Sequence, residues 1–443
     1  MPSIRRKEDG LLARVNFPLY AVQMLTSRHV LVAGGGGSAN TGVANGFEIF
    51  ELSHDGEQFV AEEVIRHETG PVVVMNCATR NSGRKCFLVA GQESHCQLYT
   101  VNIKVVNVHE NNIPGHQHLT NRNTKNDSRK KNPTKLGGEG NRAVKKNKDA
   151  DGKTQNVDSN GNSYQKLQFE IKPNDSVQTD FSEKEPVQRV VRISHSGKLM
   201  ATAGTDGYVR LWSFPAMVKK LDIQAHSKEV DDVDFSPDEK WVVSISKDGT
   251  CVLWSTESGK KVGELKWPSA GEAKYLFKRC RFGVAEDRES PSRLFSIMNP
   301  VGRSGRHKAY LQLWDPSEGM LKRDVSYAES LSALAVSDNG RFVAVGTMFS
   351  GSVSMHVAFS LQRVLYVKEA HSMFVTGLEF LPQGLNGPPI TSTAEAAVLS
   401  ISVDNRVCIH SLPYRSSVPL WFAILLIIAA MFSAFLFCNY MGL

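Results

Sequence analysis

The chain contains RVVRISHSGKLMATAGTDGYVRLWSF (Arg189–Phe214) and VDDVDFSPDEKWVVSISKDGTCVLWS (Val230–Ser255), two stretches that follow one pattern. Each reads as a strand, a Ser-x-x-Gly or Ser-Pro-Asp turn, an apolar strand, an Asp-Gly turn and a strand that ends in Trp212 or Trp254. Short apolar strands separated by Gly, Asp and Pro turns are typical of antiparallel sheets. The pattern therefore predicts two copies of one small sheet.

Weaker copies of the same unit recur along the chain, and together they resemble the WD40 repeat. That repeat builds one four-stranded blade of a β-propeller in about 40–45 residues. We expect an all-β fold, a seven-bladed WD40-type β-propeller, with blades in Val22–Leu52, Val72–Val101, Val187–Phe214, Val230–Trp254, Lys274–Trp314, Leu331–Val357 and Phe374–His410. Because the last unit is one strand short, Leu12–Leu19 is expected to complete it and close the ring.

Four polar residues of the third and fourth units match a set known from WD40 repeats. The resemblance implies that a His before a blade, a strand Ser, the turn Asp and the Trp form one buried hydrogen-bonded group, here His226, Ser244, Asp248 and Trp254. Such a group can be mistaken for a catalytic site. Since buried polar atoms need hydrogen-bond partners, we interpret it as structural.

A glycine-rich stretch, VLVAGGGGSANTGVANGFEIFEL (Val30–Leu52), is the candidate functional element. A P-loop would require a Lys followed by Ser or Thr and then a helix, whereas the segment after this loop alternates like a strand. The dinucleotide-binding fingerprint also lacks its helix. Two interpretations stay open: a hairpin closed by a turn at Asn45-Gly46, or a loop that binds a partner.

Near the C-terminus, Val418–Phe437 is a run of 20 residues without a charge. This length suffices for a helix to cross a hydrocarbon core about 30 Å thick. The N-terminus, MPSIRRKEDG, has no apolar segment of signal-peptide length. Arg415 precedes the run and Cys438–Leu443 carries no side-chain charge, so the positive-inside rule predicts a propeller in the cytosol and a short luminal tail.

The net charge of +7 is concentrated in one segment. Residues 121–153 contain eleven Lys/Arg against four Asp/Glu, an excess equal to that of the whole chain. Residues 107–179 are rich in Asn, Lys, Gly and Asp, a composition that favours disorder. Contact with anionic lipid is one interpretation of this basic insert, whereas a basic run without interleaved aromatic residues is weak evidence for nucleic-acid binding.

The seven cysteines form no C-x-x-C pair and no cluster with His, which argues against structural zinc and against a disulfide framework. No His/Ser/Asp or paired-carboxylate spacing stands out, so we expect no covalent catalysis and no organic cofactor. The expected organisation is residues 1–106 as blades one and two with the glycine loop 34–46, 107–179 as the insert, 180–413 as blades three to seven, 418–437 as the transmembrane helix and 438–443 as the tail.

The propeller, the glycine loop GGGGSANTGVANG and the single C-terminal span together resemble one family. It is the membrane-anchored guanine-nucleotide exchange factor of the endoplasmic reticulum, the prolactin regulatory element-binding protein family, which activates the Sar-type small GTPase for assembly of coat protein complex II. The resemblance is carried by Gly34, Gly35, Gly36, Gly37, Thr41, Gly42, Asn45 and Gly46.

The resemblance implies that this loop engages the GTPase and loosens its GDP, with Asn45 as the principal contact and the glycines as determinants of loop shape. In fungal relatives a potassium ion holds the loop, which makes the backbone carbonyls of Gly34–Thr41 candidate ligands here. Two other functions are kept as alternatives: a membrane-tethered propeller scaffold without exchange activity, and a nucleic-acid-binding regulator that acts through the basic insert.

Overall fold

The computed structural model describes residues 10–38, 42–56, 58–83, 85–109, 163–267, 273–285, 292–302, 307–383, 390, 394–414 and 420–441. The chain divides into two compact units, residues 1–103 with 169–443 and residues 104–168. The first unit contains the glycine loop, the repeats and the apolar C-terminal run.

Within the described residues there are 28 strands and one helix. The strands of the first three blades are β2–β5 (Leu19–Met24, His29–Gly35, Asn45–His54, Phe59–Glu68), β6–β9 (Asn76–Asn81, Lys85–Gln92, His95–His109, Ser163–Gln178) and β10–β13 (Gln188–Ile193, Leu199–Gly204, Tyr208–Ser213, Val218–Gln224). The next two blades are β14–β17 (Val230–Phe235, Trp241–Ser246, Cys251–Ser255, Lys261–Glu264) and β18–β21 (Tyr275–Val284, Ser292–Pro300, Ala309–Asp315, Met320–Tyr327). The last two are β22–β25 (Leu331–Val336, Phe342–Thr347, Val353–Val357, Arg363–Val367) and β26–β28 (Val375–Phe380, Ala394–Ser402, Arg406–Pro413) with β1 (Leu11–Arg14).

These strands form seven four-stranded antiparallel sheets in the described part of the chain, which confirms the seven-bladed propeller. The first strand of each blade contacts the first strands of its two neighbours, so these inner strands form a closed ring. In the seventh blade β1 pairs antiparallel with β28 as the outermost strand. The N-terminal segment therefore completes the last blade, as the sequence predicts, although the strand is shorter than Leu12–Leu19.

Apolar side chains fill the spaces between neighbouring blades. Between the first and seventh blades, for example, Val32, Leu52, Leu399 and Ile401 are fully buried in one cluster. Alternate residues of these strands point into the cluster because successive side chains of a strand lie on opposite faces. Each blade thus covers its faces with its neighbours, which explains why one repeat cannot fold alone.

The antiparallel order gives the propeller two distinct faces. The upper face carries the connections between the second and third strands of a blade and the connections from one blade to the next. The lower face carries the connections between first and second strands and between third and fourth strands. The glycine loop joins β3 to β4 and lies on the upper face, whereas β28 runs downward and ends at Pro413 on the lower face.

The structure corrects the expected position of the insert. Ser163–Gln178 was expected to belong to a disordered segment between blades two and three, but it forms β9, the outer strand of blade two. The insert therefore interrupts blade two between its third and fourth strands. An outer strand needs few apolar residues because much of it faces water. In β9 Phe169 is buried, and its ring lies tilted against that of His29 at a centroid distance of 4.7 Å. Residues 110–162, which include the whole basic segment 121–153, lie outside the described part.

The C-terminal apolar run forms one helix, α1 (Leu420–Met441). An 18-residue window, Ile424–Met441, is apolar enough to cross a membrane, and none of it is buried against protein. The expected span began at Val418 and ended at Phe437. The helix instead extends to Met441 and includes most of the expected tail.

Candidate functional site

The glycine loop is shorter than the motif that identified it. Gly34 and Gly35 belong to β3, Asn45 and Gly46 belong to β4, and the loop between the strands runs from 36 to 44. Gly36 and Gly37 are half-buried at its start, and Gly42 is exposed near its end. Residues 39–41 lie outside the described part, so the predicted role of Thr41 stays a prediction.

Asn45 fixes this loop through three hydrogen bonds to backbone atoms. Its Oδ1 accepts from the backbone N–H of Gly37 at 2.9 Å, and its Nδ2 donates to the carbonyl of Gly37 at 3.1 Å. The same Nδ2 donates to the carbonyl of Gly70 at 3.0 Å, in the connection to the second blade. The side chain thus joins the loop, the start of β4 and a neighbouring connection on the upper face.

The position of Asn45 excludes a hairpin turn at Asn45-Gly46 and argues against a direct contact of its side chain with a partner. Asn45 pairs with Gly35 and Gly46 with Gly34 across β3 and β4, so these residues do not form the hairpin turn that the Asn-Gly pair suggested. Asn45 is 5% exposed, and its carboxamide is engaged with backbone groups. In this structure its side chain is not presented to a partner, and what it controls is the conformation of the loop.

Close approach explains the glycine at position 34. A Cβ atom placed on Gly34 would lie 1.9 Å from the carbonyl oxygen of Pro18, in the connection that enters the first blade. Separations below 3.0 Å do not occur for real Cβ atoms, so another residue would displace the backbone of β3 or of that connection. This glycine is required for packing at the base of the loop.

Backbone conformation explains the glycine at position 37. Gly37 has φ of +85°, and a Cβ atom placed on it would meet no other atom within 4 Å, so space is available but the left-handed conformation favours glycine. This conformation places both the N–H and the carbonyl of Gly37 within reach of the Asn45 carboxamide. The loop therefore turns at Gly37, the residue to which the Asn45 side chain is hydrogen-bonded.

Three aromatic rings support the base of the loop. Phe47 is fully buried and stacks on His67 at 5.0 Å between ring centroids, and both rings contact Tyr99 of the second blade. Burial lowers the pKa of His67, so this ring favours its neutral form. Tyr99 accepts a hydrogen bond from Gln92 at 3.1 Å. The loop thus rises from a rigid apolar support between two blades.

The structural interpretation of His226 and its partners is confirmed by their contacts. His226 Nε2 lies 2.7 Å from Ser244 Oγ, which also accepts from Trp254 Nε1 at 2.9 Å. The other ring nitrogen lies 3.1 Å from Asp248 Oδ2. Burial lowers the pKa of His226, an effect that the Asp248 carboxylate partly opposes. The group joins three elements of the fourth blade.

A second group of the same kind lies in the seventh blade, and sequence analysis missed it. His371 bonds to Ser400 Oγ at 2.8 Å and to Asp404 at 3.1 Å. His410 takes the place that Trp254 has in the fourth blade, with its Nε2 2.8 Å from Ser400 Oγ. The spacing from Ser400 to Asp404 and to His410 equals that from Ser244 to Asp248 and to Trp254, which is a usable signal in the sequence. The repeat ends in His410 instead of a Trp, however, and its His lies 33 rather than 22 residues before the Asp.

Ion pairs join charged side chains of the central cavity. This cavity, about 230 Å³, lies inside the ring of first strands. Asp232 accepts from Arg281 at 2.6 Å and lies 3.6 Å from Arg192, while Asp231 accepts from Arg189 at 2.7 Å. Among the described residues no group of His, Cys, Asp and Glu has the geometry of a metal site. These pairs connect neighbouring blades and are best explained as structural.

The fold and the C-terminal helix define the class of this protein: a WD40 β-propeller with a C-terminal helix long and apolar enough to anchor it in a membrane. The sequence profile of the family described as "WD domain, G-beta repeat" matches residues 176–213 and 218–255. Each match begins in the outer strand of one blade and covers the first three strands of the next, the third and the fourth blade respectively.

Comparison with known sequences identifies the family within this class. The chain is 35% identical to the mouse guanine nucleotide-exchange factor SEC12 and 34% identical to the rat protein, each over 428 residues that cover 95% of this chain and 95% of the relative. It is 26% identical to SEC12-like protein 2 of Arabidopsis thaliana over 52% of this chain and 53% of that one. The chain belongs to the SEC12 family of guanine nucleotide-exchange factors.

Proposed function

We propose that this protein is the exchange factor that activates a Sar-type small GTPase at the endoplasmic reticulum and so starts the budding of coat protein complex II vesicles. The proposal rests on the glycine loop of the first blade, whose conformation is fixed by the hydrogen bonds of Asn45. This loop belongs to a chain of the SEC12 family. The loop supplies the contact and the propeller supplies the platform.

The proposed mechanism needs no covalent chemistry. A small GTPase holds GDP through its P-loop, Mg²⁺ and switch segments that phosphate and metal keep ordered. An exchange factor binds the state with loosened or absent nucleotide better than the GDP state, and this difference in affinity shifts the population. A loop with a fixed conformation favours such binding because little entropy is lost when it docks.

In this proposal Asn45 is a positioning residue. Its three bonds to Gly37 and Gly70 hold the loop in one conformation, and the GTPase contacts are made by the exposed part of the loop around Ser38 and Gly42. The resemblance pointed to Asn45 as a direct contact. Its burial supports an indirect role instead, in which the side chain determines where the loop backbone lies.

Exposed apolar residues on the same face support docking of a protein. Met75, Met373 and Phe374 lie in connections between blades, on the upper face, and are 46%, 48% and 37% exposed. Exposed Met and aromatic side chains are enriched in protein interfaces. We propose that the GTPase covers part of this face when it engages the loop.

The proposed location is the membrane of the endoplasmic reticulum, with the propeller in the cytosol. The length and hydropathy of α1 support the anchor, and Arg415 before it with no charged side chain after it supports the orientation. The excess of basic residues in 121–153 supports a further contact with anionic lipid headgroups.

A potassium ion on the loop is a further part of the proposal. The described backbone carbonyls are suitable ligands, because potassium is coordinated by oxygen atoms and the carbonyls are the main oxygen donors of the loop. The carbonyl oxygen of Gly37 accepts one hydrogen bond from Asn45 and has a second lone pair. An ion would bind in addition to that hydrogen bond and would not displace it. GDP release and hydrogen exchange of the loop amides, each measured in potassium and in sodium at equal ionic strength, test this part of the proposal. Equal release rates and equal protection of the loop amides in the two salts would contradict it.

The main experiment measures release of fluorescent GDP from a panel of small GTPases by the full-length protein in lipid nanodiscs. We expect faster release from the Sar-type GTPase and little change for the others. Affinity for that GTPase should be higher without nucleotide than with GDP. Equal affinity for both forms, with no faster release, would support the alternative of a tethered scaffold and contradict the proposal.

A further inference from the structure

The chain leaves the propeller on the face opposite to the glycine loop. β28 is antiparallel to β27 and runs away from the upper face, so its last residue, Pro413, lies on the lower face of the seventh blade. The glycine loop lies on the upper face of the neighbouring first blade. These directions follow from strand order and hold whatever side chains occupy the strands.

The connection from this point to the membrane-spanning helix is short. Six residues, 414–419, separate Pro413 from Leu420, so seven Cα–Cα steps span at most about 25 Å. Strands of six residues make a blade about 20 Å high. For the upper face to approach the bilayer, nearly all of this connection would have to run along the side of the blade. The short connection therefore favours an arrangement in which the lower rim of blade seven is the part of the propeller nearest the bilayer.

Exposed aromatic side chains lie at this rim. Phe359, in the connection between β24 and β25 of the sixth blade, is 62% exposed, and Tyr414, directly after β28, is 60% exposed. A groove of about 350 Å³ is lined by Phe359, Val364 and Leu412, of which the last lies two residues before Tyr414. Its edge carries Arg341, whose Nη2 donates to Glu395 at 3.1 Å. Aromatic residues next to Arg are typical of the boundary between bilayer and water.

We propose that the lower face of blades six and seven, around Phe359 and Tyr414, rests on the bilayer that α1 crosses. The two aromatic rings lie among the lipid headgroups, and Arg341 lies at the level of the phosphates. The glycine loop then faces away from the bilayer, and a bound partner approaches from the cytosolic side. This arrangement holds for any partner and does not depend on exchange activity.

Blade six offers a matched pair of positions for the test. Phe349 is 58% exposed in the connection between β23 and β24, on the upper face, and Phe359 is 62% exposed on the lower face. The six cysteines of the propeller strands are buried, so Cys438→Ser leaves a background suited to labelling. Full-length Phe359→Cys and Phe349→Cys proteins are labelled with an environment-sensitive fluorophore and inserted in phosphatidylcholine–phosphatidylserine vesicles.

Lipids spin-labelled at the headgroup serve as quenchers. We expect several-fold stronger quenching at position 359 than at 349, with Tyr414→Cys behaving like 359. Equal quenching at 349 and 359, or stronger quenching at 349, would overturn the proposal. A fluorescence change at position 359 that varies with the amount of protein per vesicle, and not with the amount of spin-labelled lipid, would show that this position contacts a second copy of the protein. That result would also contradict the proposal.

Discussion

Replacement of Asn45 by Ala tests whether loop conformation determines activity. The substitution removes three hydrogen bonds and leaves the N–H of Gly37 and the carbonyls of Gly37 and Gly70 without this partner. At about 0.5–1.5 kcal/mol for each bond, the held conformation loses about 1.5–4.5 kcal/mol relative to open ones. Every 1.4 kcal/mol is a factor of ten, so the ratio of held to open loop falls between about tenfold and a thousandfold.

The assay combines GDP release with hydrogen exchange in the full-length protein. We expect release from the Sar-type GTPase to fall with the population of the held loop, and the amide of Gly37 to lose protection. Asn45→Asp should be similarly defective, because a carboxylate keeps the bond from the Gly37 N–H but repels the two carbonyl oxygens. Asn81→Ala, at an exposed position on the lower face, is the matched control and should leave both readouts unchanged.

Two results would refute this reasoning in different ways. Normal GDP release by Asn45→Ala would show that the held loop is not required. Lost release with unchanged protection of the loop amides would show that Asn45 contacts the GTPase directly, since the loop would then keep its conformation without the side chain.

Four further changes have expected outcomes. Gly34→Ala should lower the melting temperature more than Gly42→Ala, because the new Cβ lies 1.9 Å from a carbonyl oxygen at position 34 but in open space at 42. Ser244→Ala leaves the buried N–H of the Trp254 ring without its acceptor and removes the hydroxyl beside His226 Nε2, so it should cost about 1–3 kcal/mol in chemical denaturation, with GDP release of the folded protein unchanged. Burial lowers the pKa of His410 to about 3, so the folded state binds fewer protons than the unfolded state between pH 6.5 and 3 and loses stability as the pH falls. His410→Gln should remove about 1.4 kcal/mol per pH unit of this acid sensitivity in melting curves from pH 6 to 4. Ile428→Asp, at the middle of α1, should cost about 3–4 kcal/mol of insertion and increase carbonate extraction from membranes, whereas Ile428→Leu should not.

Each of these outcomes can fail separately. Equal melting temperatures of the two glycine variants would mean that the connection before β2 moves freely. Unchanged stability of Ser244→Ala would mean that water replaces the hydroxyl. A wild-type pH slope in His410→Gln would assign the acid sensitivity to other groups, and full membrane retention of Ile428→Asp would show that the remaining apolar residues suffice.

The seven blades and the His226 group could be predicted because their signals are local. Apolar alternation, Asp-Gly turns and the terminal Trp all fall within one repeat, so the pattern in Val230–Ser255 specifies the strands, their turns and the residues that must bond to one another. The span was equally accessible, because insertion in a bilayer depends on length and composition rather than on tertiary contacts.

The strand Ser163–Gln178 was missed because it is an outer strand. Such a strand pairs with only one neighbour and faces water, so its composition resembles that of the polar insert before it. The His410 group was missed for a related reason: the ring of a different residue occupies the place of the Trp, and the equivalence is visible only in the contact with Ser400.

The sequence by itself determined the repeat architecture, the apolar helix and the position of the glycine stretch, because each follows from periodicity or composition within a short window. It also indicated ring closure by an N-terminal strand, because the last repeat is one strand short. Only the tertiary structure decided how the glycine stretch works. Asn45 and Gly70 are 25 positions apart and meet because β4 and β5 pair antiparallel in the first blade, which brings the start of β4 beside the residues that follow β5 on the upper face. The same holds for the two faces: the exit of β28 opposite the glycine loop is a property of strand direction in the closed ring, and no local pattern of residues encodes it.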